Sequence, residues 1–173
     1  DVLSLDCDQT GNTNDNIVEF GNLTPGTPVT GSTTCTVTTN SDAGYTLAVK
    51  REDTNSTMDK DSDTATDITD RTNWDATGTG NATTWNLNDT NLAFTVYNTT
   101  ATKNTNWWGT GTTVTDANNK YAGFPTAYTD IMQHTEYDEM ATTTQIGYKL
   151  DVPTTQKSGI YSGDITYQVV TAP

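Results

Sequence analysis

The strongest constraint on the fold is the strict alternation of apolar and polar residues near the end of the chain. The apolar positions are Ile146, Tyr148, Leu150 and Val152 in one segment and Ile165, Tyr167 and Val169 in the next. Side chains of a β-strand point alternately to the two faces of a sheet, so this spacing predicts two half-buried strands. The turn sequence TTQKSG between them predicts that they form a closing antiparallel hairpin.

Shorter alternating segments, each bounded by turn residues, predict further strands upstream. They are VLSLDC, NIVEFGNL, STTCTVTTN, AGYTLAVKRE, TTWNLN and NLAFTVYNTT. AGYTLAVKRE follows STTCTVTTN through NSDAG, so we expect a hairpin in which Tyr45, Leu47 and Val49 share one face. Residues 53–83 are acidic and poor in aliphatic side chains, and we expect a long acidic loop there. One short helix is expected near residues 129–140.

Composition supports an all-β chain. Of 173 residues, 41 are Thr, whose branched β-carbon favours strands, and 34 are Asn or Asp, which favour turns. About eight strands in a one-domain length predict a single antiparallel β-sandwich over residues 1–173, of Ig-like or jelly-roll-like type. At most one short helix is expected.

Cys7 and Cys35 are the only cysteines. Two cysteines without a His/Cys cluster cannot build a zinc site, so we expect a disulfide that joins the first predicted strand to the third. Two buried free thiols are the alternative. A disulfide is typical of exported proteins. Because the sequence begins at Asp1, we also expect that a secretory signal has been removed.

The net charge of −14 limits the partners of this chain. Such a surface repels the phosphates of nucleic acids and anionic membrane surfaces. No run of 18 apolar residues is present, so we expect no membrane insertion. His134 is the only histidine, and neither a nucleophile motif nor a phosphate-binding motif accompanies it. We therefore expect no enzymatic activity and no required cofactor.

The segment DKDSDTATDITD approaches the ligand spacing of a calcium loop. Positions 1, 3, 5, 9 and 12 of this window are Asp59, Asp61, Asp63, Asp67 and Asp70. Thr64 stands where the sharp turn of such a loop needs glycine, and Ile68 falls at position 10 rather than 8. The pattern leaves two interpretations open, a calcium site and a solvated acidic loop, and the second fits a chain so rich in aspartate.

Trp107 and Trp108 are adjacent, and neighbouring residues of a strand point to opposite faces. We therefore expect that the two rings do not both enter one core. One ring would stack on a sugar at the surface, contact another subunit, or lie under a loop beside a core Trp.

Five asparagines stand in N-x-[ST] sequons, which permit glycosylation of an exported chain. They are Asn22, Asn55, Asn81, Asn88 and Asn98. A composition this rich in Asn and Thr produces about as many sequons by chance.

The segments TCTVTTNSDAGYTLAVK and YKLDVPTTQKSGIYSGDITYQVV resemble secreted β-sandwich surface proteins and pilus-like appendage proteins of prokaryotes. The closing SGDITYQVVTAP is also similar to the end of WxL-type cell-wall-binding domains. The resemblance implies a protein that is secreted and lies at the cell surface or in an extracellular filament. It implies no catalytic residue.

These observations together predict a structural role, as the subunit of a surface filament or pilus whose main partner is another copy of itself. Residues 1–6 are the expected donor strand, with Val2, Leu3 and Leu5 inserted in a neighbouring sheet and Cys7 pinning the base. The alternative is that both ends of the chain complete their own sheet. A second functional hypothesis is a calcium-dependent adhesin or carbohydrate-binding domain that contacts glycans or cell wall.

Overall fold

The computed structural model describes residues 2–12 and 15–172 and confirms an all-β sandwich. The strands are β1 (Leu3–Gln9), β2 (Val29–Thr39), β3 (Tyr45–Arg51), β4 (Met58–Lys60), β5 (Asp63–Ile68), β6 (Thr83–Thr84), β7 (Leu92–Thr99), β8 (Lys120–Tyr121), β9 (Thr129–His134), β10 (Thr142–Leu150), β11 (Tyr161–Ser162) and β12 (Ile165–Thr171). One short helix, α1, spans Thr105–Trp108. The described part of the chain contains no helix with the length and hydrophobicity needed to cross a bilayer.

Two antiparallel sheets enclose the core. The first has the strand order β1-β2-β10-β7 and the second the order β12-β3-β9. On β3 the side chains of Tyr45, Leu47 and Val49 are buried, as the alternation predicts, while Thr46 and Lys50 are half-exposed. Their apolar partners from the first sheet include Ile146 and Leu150 of β10. The core therefore lies between the inward faces of the two sheets.

The predicted hairpins are wrong, although the strands that form them exist. β10 lies between β2 and β7 in the first sheet, while β12 pairs with β3 in the second. β2 and β3 likewise belong to different sheets. Tyr148 of β10 and Tyr167 of β12 instead face each other across the core, with hydroxyl oxygens 2.7 Å apart. Alternation determines which face of a strand is buried. The predicted pairing and the observed pairing bury the same faces, so alternation does not distinguish them.

The segment predicted as a long acidic loop, residues 53–83, contains the hairpin β4–β5. It joins β11 in a small three-stranded sheet. Met58 and Ile68 lie opposite each other in this hairpin, Ile68 is buried, and Met58 packs against the core. Two apolar side chains that meet across the strands are thus enough to anchor a polar segment to the sandwich.

The predicted helix near residues 129–140 is also wrong, because residues 129–134 form β9. This strand pairs with β3, and the buried Ile131 and Met132 secure it to the sandwich. The one helix of the described residues is α1, where the Asn104 side chain accepts hydrogen bonds from the backbone of Asn106 and Trp107. An N-cap of this kind stabilises even a single turn.

The disulfide between Cys7 and Cys35 is confirmed. The two cysteines lie directly opposite each other in the β1–β2 ladder. The bridge therefore joins the first strand to the second, since the segment NIVEFGNL does not form the predicted strand between them.

Candidate functional site: the two sides of the sandwich

One side of the sandwich, which we call the closed side, is formed by the edges of β7 and β9. On β9 the register with β3 skips Ile131, so its carbonyl group lies outside the ladder. Nε1 of Trp108 donates a hydrogen bond of 2.9 Å to this carbonyl, and Nε1 of Trp74 donates one of 2.8 Å to the carbonyl of Asp130. Two indole N–H groups thus satisfy two adjacent backbone carbonyls of β9.

The edge of β7 is closed by backbone. Phe94 and Ala122 exchange hydrogen bonds of 2.8 and 3.0 Å, and the backbone nitrogen of Leu92 donates to Thr69 at 2.9 Å. The Phe94 ring stacks on Phe124 at a centroid distance of 4.6 Å and lies 5.2 Å from Trp108. The closed side therefore leaves little strand edge for another chain.

Of the alternatives for Trp107 and Trp108, the structure shows a core ring beside a ring that lies under a loop, and neither ring is at the surface. Trp107 and Trp108 are 5% and 0% exposed, and both contact Trp74. They occupy α1 rather than a strand, so the rule of opposite faces does not apply to them. Nε1 of Trp107 donates to the carbonyl of Gly78 at 3.1 Å. Neither ring presents an open face on which a sugar could stack.

The opposite side, the open side, is formed by β1 and β12. Within the described residues β1 pairs only with β2, and β12 pairs only with β3. The outer edge of each strand therefore carries backbone groups that no other strand satisfies. An exposed edge of this kind is a template on which a further strand can pair.

A groove of about 1410 Å³ lies between the two sheets on this side. It reaches the core, because Ile68, Phe124 and Leu150, which are fully buried, form part of its floor. Leu5 and Cys7 of β1 and residues 165–167 of β12 belong to its walls. Polar and apolar residues thus line the space on this side, while aromatic rings fill the closed side.

Residues 15–25, which we call the cover, cross the mouth of this groove. The strand predicted over residues 16–23 is absent, but its alternation is visible in the side chains: Val18 and Phe20 are half-buried, and Ile17 and Glu19 are exposed. The Phe20 ring meets the edge of Tyr148 at a centroid distance of 6.4 Å. The predicted strand is therefore wrong, although its alternation matches which of these side chains are half-buried and which are exposed.

Buried hydroxyl groups line the inner wall of the groove. Tyr148 donates a hydrogen bond of 2.6 Å to Thr33 and lies 2.7 Å from the hydroxyl of Tyr167. Desolvation raises the pKa of Tyr148 to about 12 and that of Tyr167 well above 10. Both groups therefore stay protonated and neutral, and they tie the two sheets together.

The residues of the expected donor strand belong to β1, except for Asp1, which lies outside the described residues, and Val2, which precedes the strand. Val2 is 58% exposed, and its backbone nitrogen donates to the Asn40 side chain at 2.7 Å. Leu3 and Leu5 are half-buried and lie opposite Thr39 and Val37 of β2. In this structure the segment completes its own sheet.

The five aspartates of the calcium-like window do not converge on one point. Asp59 and Asp67 face each other across β4 and β5, with their carboxyl groups within hydrogen-bond reach. Asp61 accepts from Ser162, and Asp63 accepts from Thr66 and lies 3.5 Å from Lys157. Asp70 is buried against Arg51, whose Nη1 lies 2.9 Å from its Oδ2.

Asp67 and Asp70 line a recess of about 310 Å³, and one oxygen of each carboxyl group is buried there without a protein partner. Burial raises the pKa of Asp70 to about 6, although Arg51 and Thr57 act in the opposite direction. Partial desolvation also raises the pKa of Asp67, and the carboxyl group of Asp59 raises it further. Among the described residues no three His, Cys, Asp or Glu side chains are placed to hold a metal together. Calcium binding stays a prediction.

The sequon asparagines are all exposed; they are Asn22, Asn55, Asn81, Asn88 and Asn98. Two of them are engaged in side-chain hydrogen bonds. Nδ2 of Asn81 donates to the Asn73 carbonyl, and Nδ2 of Asn98 donates to Gln145. Glycosylation of these sites also stays a prediction.

Sequence reasoning missed the groove and the role of Trp74. The groove arises from how far apart two sheets lie, which no local pattern encodes. Trp74 is a lone aromatic residue in a polar segment, and that isolation was the only available signal that it has a partner elsewhere. Comparison of the chain with family models, with curated proteins and with solved structures finds no match in any of the three.

Proposed function

We propose that this chain is a non-enzymatic extracellular structural protein, the subunit of a surface filament that assembles through the open side of its sandwich. The observation that carries the proposal is the asymmetry between the two sides. Indole rings and backbone groups accept or donate hydrogen bonds at β7 and β9, while no other strand pairs with the outer edges of β1 and β12, which lie beside the groove. Copies of the chain would associate there by edge pairing or strand donation.

Two further features support an exported subunit. The disulfide persists in oxidising compartments, and it holds β1 at its place in the sheet. The charge of −14 keeps free subunits soluble and apart until a specific contact outweighs their repulsion. The partner of this proposal is therefore a second copy of the chain.

Electron microscopy and size-exclusion chromatography of the unheated, oxidised protein test the proposal. We expect filaments with a regular axial repeat whose mass fraction rises with protein concentration. A sample reduced and unfolded in urea is the control. Monodisperse single particles at every concentration would contradict the filament.

A second candidate is a calcium-dependent adhesin or carbohydrate-binding surface domain. The observation that favours it is the recess in which Asp67 and Asp70 each bury an unpartnered oxygen, since a hard cation binds carboxylate oxygens. Glycan-array binding that disappears with EDTA would support it, and Asp67→Asn should then abolish the signal. An array without signal in calcium would contradict it.

A further inference from the structure

The recess beside β4 and β5 is lined by polar side chains alone. Its volume of about 310 Å³ lies at the lower end of the roughly 300–1,000 Å³ of small-molecule sites. Arg51 and Ser56 of its lining are buried, whereas Thr69, Thr72 and Asn73 are exposed and form its rim. Because most small-molecule sites have mainly apolar walls, this recess suits a small and strongly polar ligand.

Two carboxylate oxygens in the recess have no hydrogen-bond donor among the described residues. The Asp70 side chain is only 4% exposed, and its Oδ2 accepts from Arg51 and from the backbone and hydroxyl groups of Thr57. Its Oδ1 is buried without a partner, and so is Oδ1 of Asp67. A buried acceptor without a donor costs free energy. These two oxygens therefore mark the place where a donor from outside the chain would bind.

The two arginines of the lining already have partners in the protein. Arg51 donates from Nε, Nη1 and Nη2 to protein oxygens, and its Nη1 lies 2.9 Å from Oδ2 of Asp70. Arg71 donates from Nη1 to Asp89 at 3.0 Å and from Nη2 to Thr83 at 2.7 Å. Neither guanidinium group donates to the two free oxygens.

The recess also lacks a positive charge beside Asp67. This carboxylate forms no ion pair with any described residue. The charged groups that act on it are all carboxylates, those of Asp53, Asp59 and Asp63, and only Asp63 has a cation nearby, Lys157 at 3.5 Å. Asp59 lies directly opposite Asp67 in the β4–β5 ladder, where like charges destabilise a strand pair. A positively charged donor would relieve this repulsion, and a neutral donor would not.

An organic ammonium group fits these features better than a hard metal ion. Calcium takes six to eight oxygen ligands, and among the described residues no three His, Cys, Asp or Glu side chains are placed to hold a metal together. The Arg51 guanidinium on Asp70 also places a full positive charge beside the site, which repels a divalent ion more than a monovalent one. An ammonium group carries one charge and three N–H donors. It can therefore donate to both free oxygens and to one rim side chain.

We propose that the recess beside β4 and β5 binds the primary ammonium group of a small polar ligand such as an amino sugar, with Asp67 and Asp70 as acceptors. The hydroxyl and amide groups of Thr69, Thr72 and Asn73 then contact the hydroxyl groups of the ligand. The inference goes beyond the filament function, and for the second candidate it replaces the hard cation by an ammonium group.

The first test compares ligands that differ in charge. The unassembled, oxidised protein is titrated by calorimetry with glucosamine, which carries an ammonium group, and with N-acetylglucosamine, which does not. We expect glucosamine to bind about tenfold more tightly or better, because hydrogen bonds between charged groups are about twice as strong as neutral ones. Nα-acetyl-lysine amide offers the ammonium group without a sugar. Equal binding of this compound would assign the site to amines in general, and weaker binding would assign it to amino sugars.

The second test locates the site. Asp67→Asn removes the uncompensated carboxylate with little change of shape, and we expect it to weaken glucosamine binding about tenfold or more. Asp61→Asn is the matched control, because Asp61 belongs to the same hairpin but lies outside the recess lining. It should change the affinity by less than about twofold. Thr69→Lys places an ammonium group on the exposed rim and should also weaken binding. Circular dichroism checks that each variant is folded.

The outcomes separate this inference from both candidate functions. Glucosamine that fails to bind, or that binds equally well to the Asp67→Asn variant, would overturn the inference and leave the recess to water. Calcium binding without amine binding would also overturn it, while supporting the hard cation of the second candidate. None of these results bears on the filament, because assembly of the unchanged protein is measured without any ligand.

Discussion

The closed and open sides of this sandwich differ in how the outer edges of their strands are covered. On the closed side Trp74 and Trp108 fill the space between the sheets and donate hydrogen bonds to β9. On the open side a groove remains, and the cover crosses its mouth without pairing with any strand of the described residues. At β9 a tryptophan side chain supplies a hydrogen-bond donor and a large apolar area together, which no side chain of the cover does.

The largest expected effect is the loss of a closed-side tryptophan. Trp108→Ala removes a fully buried ring and leaves the Ile131 carbonyl without its donor, so we expect the free energy of unfolding to fall by about 3–5 kcal/mol. Urea denaturation measures the change. Trp85→Ala is the control, since its half-exposed ring contacts Lys149 and lies outside the core. A loss as small as that of the control would show that the closed side is not the more stable one.

The next effect concerns the covalent link on the open side. The Cys7–Cys35 bridge closes a separation of 28 residues, and on the chain-entropy estimate its removal costs about 3–4 kcal/mol. The double variant Cys7→Ser, Cys35→Ser should show this loss in urea denaturation. Addition of a reductant should lower the stability of the unchanged protein by a similar amount and leave the variant unaffected. Equal stability with and without the bridge would mean that β1 is held by its ladder alone.

A smaller effect on stability is expected from a change of pH, through a carboxyl group in the recess beside β4 and β5. Burial raises the pKa of Asp70 to about 6, so between about pH 4 and 6 the folded state binds a proton that the unfolded state releases. Stability should therefore fall as pH rises through this window, by about 2–3 kcal/mol from this group. Asp70→Asn should remove this part of the slope, measured by urea denaturation at several pH values. A slope that is unchanged in the variant would assign the effect to other carboxyl groups.

The smallest effect compares two glycines. A Cβ at Gly123 would meet the backbone of Arg71 on the closed side, whereas one at Gly31 would meet the end of the Val18 side chain of the cover. We expect Gly123→Ala to lower stability by about 1–3 kcal/mol and Gly31→Ala by less than about 1, since the cover can shift. Faster proteolysis within residues 15–25 should accompany Gly31→Ala. Equal losses would show that the cover is as rigid as the closed side.

Local patterns predicted the strands better than their partners. The buried face of β3 follows directly from the alternation of Tyr45, Leu47 and Val49. The same kind of alternation in β10 and β12 suggested a hairpin between them, and that hairpin does not exist. Strands that face each other from two sheets show the same alternation as strands that pair within one sheet. The cover shows the limit most clearly, since a segment can alternate without any partner strand.

Trp107 and Trp108 show a different limit. The expectation that the two rings point to opposite faces assumed a strand, whereas both residues lie in the single turn of α1 and both rings are buried. The calcium-like spacing assumed a continuous loop, and the hairpin β4–β5 instead directs Asp61 and Asp63 to partners other than those of Asp70. The spacing of residues along the chain predicts their distances in space only when the backbone conformation is known.

By itself the sequence determined that this chain is a β protein, which residues of many strands face inward, and that its two cysteines pair. Those properties depend on side-chain alternation, backbone propensity and composition, which act locally. Only the tertiary structure decided which strands pair, which edges are sealed and where the groove lies. These properties depend on the relative position of two sheets, and contacts between residues far apart in the chain set that position.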